Sequence, residues 1–156
     1  MSIEEKYFKD IDLSDSFFDS LRADYEGFDE WFHLKSDNKA FVSTNDDGLI
    51  DGFLYLKVED EAILDTTPSF ERKKRVKLGT FKINAHGTKL GERFIRIMFK
   101  YAMSNRILEI YVTIFDKHAG LIKLLTKYGF ELKARKNAQT NNGLEGVYFK
   151  NLEWKE

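Results

Sequence analysis

The chain has 156 residues, of which 42% are hydrophobic and 33% charged, and its formal net charge is -1. That balance gives no bulk attraction to nucleic acid or to an anionic membrane, so neither is expected as a partner. The absence of cysteine excludes disulfides, thiolate metal ligands and a cysteine nucleophile.

With 14 Phe and 7 Tyr, the chain can build one ordinary core, and a single domain over 1–156 is expected. The N-terminal stretch MSIEEKYFKDIDLSD is charged throughout and carries no apolar h-region. No run reaches the ~18 apolar residues of a membrane helix, so the chain reads as cytoplasmic. Its three histidines stand apart and lack paired-carboxylate spacing, so no metal site is expected.

In chain order, Ser14 offers a cap for a helix that places Phe17, Phe18, Leu21 and Tyr25 on one side. A second short helix over Asp29 to Lys35 carries Trp31, Phe32 and Leu34. A strand over Ala40 to Thr44 leads into the turn signal Asn45-Asp46-Asp47-Gly48, and Leu49 to Glu59 reads as its hairpin partner. Leu64 to Arg75 is polar and mixed. Val76 to Asn84 is the next strand, with Gly79 inside it.

A long helix follows the turn after that strand. Leu90, Phe94, Ile97, Met98 and Tyr101 fall on one face, and Asn105 is a natural stop. The run ILEIYVTIF, Ile107 to Phe115, suits a strand buried on both faces. Leu121 to Tyr128 makes a shorter helix ended by Gly129. Phe130 to Arg135 and Glu145 to Leu152 read as a final hairpin around Asn142-Gly143. The order α-α-β-β-β-α-β-α-β-β is mixed α/β, with a right-handed parallel crossover in the second half.

His86-Gly87-Thr88-Lys89-Leu90-Gly91 stands between a strand and a helix. A helix start offers unpaired N–H groups and partial positive charge. Glycines there let a diphosphate approach, while Thr88 and Lys89 add a donor and a cation. The same turn also reads as plain connection.

This ordering resembles the GNAT superfamily of acyl-CoA-dependent N-acetyltransferases, most specifically from Val76 to Phe130. The quoted turn is similar to that family's pyrophosphate loop, Arg/Gln-x-x-Gly-x-Gly/Ala. Gly91 matches, His86 replaces the first residue, and Lys89 replaces the middle glycine. The stretch HAGLIKLLTKYGF, His118 to Phe130, resembles the helix beside the pantetheine arm. His118 stands where the family often has Asn, and Leu125 where it often has an acid tyrosine.

The resemblance implies a central, mostly antiparallel sheet flanked by helices, with one splayed parallel strand pair. It implies acetyl-CoA (coenzyme A) held by His86, Gly87, Thr88, Lys89, Leu90 and Gly91 at the diphosphate. The backbone of Phe81, Lys82 and Ile83 would pair with pantetheine. The activity implied is direct transfer of an acetyl group to a primary amine of a small molecule or a protein.

His118 and Tyr128 are the catalytic candidates. An ordinary imidazole pKa of roughly 6.5 suits a proton shuttle at His118; the residue also reads as a plain helix start. Tyr128 shares the apolar stripe and also reads as core. His33, beside Trp31 and Phe32, is a candidate acceptor-side residue. The N-terminal aromatics read mostly as core, with an acceptor pocket or a homodimer contact as further uses.

Two other readings remain open. Leu125 favours a catalytically weak or inactive acyl-CoA-binding regulatory module. The basic run in Glu71-Arg72-Lys73-Lys74-Arg75 reads as a solvated loop, or favours a protein- or RNA-interaction domain that binds no CoA.

Overall fold

The charged N-terminal segment is a strand. In the computed structural model, which describes residues 3–84 and 88–153, β1 (Ile3–Tyr7) pairs antiparallel with β2 (Lys39–Thr44). Its charged residues suit a sheet edge, where they discourage pairing with another chain. Lys9 and Lys39 sit over the Tyr7 ring at 5.3 and 5.0 Å.

Contacts gather the chain into two compact units, Met1–Tyr55 with Thr80–His86, and Leu56–Gly79 with Gly87–Glu156. In the first, β2 pairs antiparallel with the start of β3 (Ile50–Ile63). The expected turn joins them. The Asn45 side-chain oxygen accepts from the amides of Asp47 and Leu49 at 2.9 and 3.1 Å, and Gly48 takes the left-handed φ of 79°. Asn and Gly are the residues that make such a turn cheap.

The helices here are shorter than the apolar spacing suggests. Asp15, rather than Ser14, caps the first: its carboxylate accepts from Phe17 N at 2.9 Å, while Ser14 turns back to Asp12. A 3-10 turn over Ser16–Phe18 leads into α1 (Asp19–Asp24), and Gly27 precedes α2 (Phe28–Leu34). Phe8, Phe17, Phe18, Phe28, Phe32 and Phe53 are buried in one cluster. Phe8 packs against Phe32, Phe53 and Tyr55 with centroids 4.8 to 5.7 Å apart. Tyr25 and Leu34 face solvent instead.

The second unit holds β4 (Thr66–Thr67), most of β5 (Phe70–Ile83), α3 (Thr88–Ser104), β6 (Glu109–Ile114), α4 (Ala119–Lys127), β7 (Glu131–Lys136) and β8 (Gly146–Asn151). β5 and β6 are parallel, as the crossover predicts; β6–β8, β7–β8 and β4–β7 are antiparallel. The hydrogen-bonded order is β1-β2-β3-β5-β6-β8-β7-β4, a mostly antiparallel eight-stranded sheet with one parallel pair.

β5 begins at Phe70, six residues before the expected start, so the basic run is strand and not loop. Ion pairs make this tolerable. Arg72 reaches Asp60 at 3.2 Å, Lys73 reaches Glu109 at 3.3 Å, and Arg75, buried, is held by the same Glu109. Arg75 also donates to the carbonyls of Glu61 and Glu71 and lies over the Phe149 ring. Two carboxylates, Asp60 and Glu109, thus face three of the four cations of the run.

The long helix buries Leu90, Phe94, Ile95, Met98 and Ala102, a stripe shifted slightly from the expected one, with Ile97 and Tyr101 on its flanks. Gly129 ends α4 with φ 93°.

Truncating Phe18→Ala removes a fully buried ring from the aromatic cluster. A loss of about 3–5 kcal/mol is expected in chemical denaturation, while Leu34→Ala, at an exposed position, changes the midpoint little.

Candidate active site

The parallel pair sets the frame. β5 and β6 stay in register for Val76↔Ile110, Lys77↔Tyr111 and Leu78↔Val112, where the parallel register ends. α3 follows β5, and α4 follows β6. Val76, Leu78, Ile110 and Val112 are buried, and by the two-residue period of a strand Lys77 and Tyr111 project to the other face.

His86 and Gly87 lie outside the described residues. Thr88 opens α3. Lys89 is exposed and Leu90 is buried. The first turn of α3 carries no acidic residue, so no side chain of that turn opposes its partial positive charge. Gly91 serves the packing of α3 on α4. A Cβ built there would stand 2.7 Å from Leu124 Cδ2 and 3.3 Å from Cδ1. The glycine that matches the diphosphate motif therefore also has a packing reason: any side chain there would push the Leu124 tip aside.

Phe81, Lys82 and Ile83 close β5 within the first unit. Phe81 is buried. The Lys82 ammonium donates to the Phe17 carbonyl and sits 4.4 Å from the Phe17 ring centroid. Burial pulls the Lys82 amine below its ordinary pKa, against the opposing pull of Asp19, Asp24 and Asp15. Past the strand, the Asn84 amide donates to the Asp51 carbonyl at 2.8 Å.

The two catalytic candidates lie at opposite ends of α4. His118 is its half-buried N-cap residue and Tyr128 its C-cap residue. Ten residues at 1.5 Å each put them about 15 Å apart along the helix axis. They cannot act on one atom together. Tyr128 is also engaged: burial and its hydrogen bond to Glu92 push its phenol above the ordinary value. Tyr128 and Lys127 in turn hold the Glu92 carboxyl below its own. Leu125 is fully buried, so no group at that position could reach a substrate without repacking the core. His33 lies in the last turn of α2, and its carbonyl accepts from Ser36.

A second polar cluster was not nominated by any motif. A cavity of about 120 Å³ opens in the second unit, lined by Glu59, Lys77, Tyr111 and Thr113 on three strands. Asp65, Lys136 and Glu61 complete its charged wall. The Tyr111 hydroxyl donates to Glu59, and Lys57 reaches the same carboxylate at 2.8 Å. Burial alone would raise the Glu59 carboxyl; the bonds from Lys57 and Tyr111 outweigh it and leave the group below its ordinary pKa. Burial and Glu59 push the Tyr111 phenol far up. Burial also pulls Lys77 down, partly offset by Glu59.

No protein-family profile matches this chain, and no curated protein does. Solved structures do. An aminoglycoside 6'-acetyltransferase type Ii is 17% identical, covers 100% of both chains and superposes with a TM-score of 0.67. An aminoglycoside 6'-N-acetyltransferase complexed with coenzyme A is 14% identical, covers 100% of this chain and 99% of its own, also at 0.67. An N-acetyltransferase from Staphylococcus aureus Mu50 is 13% identical over 97% and 99%, at 0.65. Likeness at this identity establishes the fold, which is that of the GNAT N-acetyltransferases.

Two outcomes follow from the helix contacts. Gly91→Val should lower the thermal midpoint, and adding Leu124→Ala should recover part of the loss. A double-mutant cycle should show coupling on the order of 1 kcal/mol; strict additivity would remove the packing role. In a phenol titration followed by carbon NMR, Tyr128 should titrate above an ordinary tyrosine. Glu92→Gln keeps an acceptor oxygen but removes the negative charge, so the phenol value should fall back toward the ordinary one.

Proposed function

We propose that this chain is an acetyl-CoA-dependent N-acetyltransferase acting on a primary amine of a small molecule or protein. The carrying observation is the parallel β5–β6 pair whose register ends at Leu78 and Val112, with α3 and α4 each following one of its strands. The full-length likeness to acetyltransferases, one of them solved with coenzyme A, supports the same reading.

The residues present fit the cofactor. The α3 N-terminus offers backbone donors without a competing carboxylate, and exposed Lys89 adds a cation for the diphosphate. Acetyl-CoA supplies an activated thioester: the amine nitrogen forms the C–N bond, the C–S bond breaks, and the ammonium proton ends on the CoA sulfur. His118, at the start of α4, is the proton carrier proposed from this chain. Tyr128 is the weaker candidate, because its hydroxyl is committed to Glu92. Positioning supplies much of the acceleration in such a transfer, so a single strong acid is not required.

Buried Leu125 favours a second reading, a CoA-binding module without turnover.

Calorimetric titration with acetyl-CoA and with free CoA tests binding. Wild type should bind both, and Lys89→Glu should weaken both by about tenfold or more, through lost attraction and added repulsion, with an unchanged thermal midpoint. Absence of binding by wild type defeats the proposal. Release of CoA thiol with an amine panel then separates the two readings. Turnover that falls in His118→Ala supports the enzyme, and binding without turnover supports the module.

A further inference from the structure

The cavity around Lys77 is poised at the reaction frame. Thr113 lines it, and Thr113 is the residue directly after Val112, the last to pair with β5. The cavity therefore reaches the point where the parallel register ends. Its other walls come from β3, β4 with the link into it, β5 and β7.

Its charges are unequally satisfied. Glu59 is held by Lys57 and Tyr111, and Asp65 is held by Lys136 at 2.5 Å. Lys77 faces the cavity with neither an ion-pair nor a hydrogen-bond partner among the described residues. Its ammonium lies 5.8 Å from the Tyr111 ring centroid. Glu59 and Asp65 offset its charge from a distance, but both already have partners of their own, and a half-buried cation without a direct ion pair is unfavourable unless something neutralises it. Glu61, exposed at the mouth, uses its carbonyl to accept from Arg75, and its carboxylate has no partner among the described residues. One unmatched cation inside and one unmatched anion at the mouth complement a molecule carrying both charges.

Resting on the acyl-transfer reading, we propose that this cavity is the acceptor pocket and takes a small primary amine bearing a carboxylate. The carboxylate pairs with Lys77, and Glu61 draws in the ammonium. Size agrees: the cavity, at about 120 Å³, is small and partly open, on the scale of an amino-acid-sized molecule. Charge also chooses between anions. With Glu59 and Asp65 already paired, one cation is left over, which matches the single charge of a carboxylate and not a phosphate dianion.

The test titrates the full-length protein with the standard free amino acids, with the amides of those that bind, with a short peptide bearing a free α-amine, and with phosphoethanolamine. At least one amino acid should bind saturably, about tenfold or more tighter than its own amide. Lys77→Met should abolish that preference, and Lys77→Arg should retain it. Acetyl-CoA binding should be unchanged in Lys77→Met, which also shows that the variant is folded. The assignment is overturned if no amino acid binds, if amide and acid bind alike, if Lys77→Met keeps the preference, or if the peptide or phosphoethanolamine binds more tightly. Acetyl-CoA binding with no amino-acid binding sinks the pocket alone. Lys77-dependent amino-acid binding with no acetyl-CoA binding sinks acyl transfer and, with it, the acceptor role.

Discussion

Two residues separate β4 from β3, and two separate it from β5, yet β4 pairs with β7 at the far end of the strand order. A sheet whose last strand is covalently tied to its middle must curl. That constraint organises the second unit. The bond network at the junction is dense for so short a strand. Asn137 donates its amide to the Asp65 carbonyl at 2.9 Å, Thr67 and Asn137 join through their side chains at 2.5 Å, and Lys136 pairs with Asp65. Beneath it, Ile63, Tyr111, Ala134, Val147 and Phe149 form a small apolar core, with Phe70 against it. The curl brings residues from 59 to 136 around one cavity.

The electrostatics of that cavity follow from its walls. Tyr111 is anchored by the apolar core on one side and by Glu59 on the other, so its hydroxyl is a fixed donor at any ordinary pH. Glu59 is kept ionised because it accepts from Tyr111 and Lys57. A folded-state carboxyl below its unfolded value contributes stability above the unfolded pKa and loses it as pH falls through the folded one. The Glu59 contribution is therefore present at neutral pH and fades only in acid. The wall is pre-organised, and Lys77 is the group left to respond to a ligand.

Legibility differed by element for physical reasons. β6, α3 and the Asn45–Gly48 hairpin were readable because one local signal dominates each: a continuous apolar run, a helical stripe, a turn pair. β1 was not, because a charged edge strand has no local apolar pattern; its structure comes from pairing with β2. The start of β5 was hidden for a similar reason. Its basic residues look like loop until Asp60 and Glu109, distant in sequence, supply the matching charges. The parallel pair was legible from topology. The Lys77 cavity was not, since neither Lys77 nor Glu59 belongs to a motif and only the curl brings them together.

Gly91 shows how one residue can answer to two constraints. As a motif position it points to a diphosphate. As a packing position it removes the Cβ that Leu124 would strike, and so lets α3 and α4 lie close. The two demands are not rivals. α3 follows one strand of the parallel pair and α4 the other, and the contact sets the first turn of α3 against the later half of α4. A glycine that eases this packing helps set where the start of α3 lies whether or not it touches a ligand. Sequence motifs at such sites record the geometry of the scaffold as much as the chemistry of the ligand. That is why Gly91 can match the motif while Lys89 departs from it.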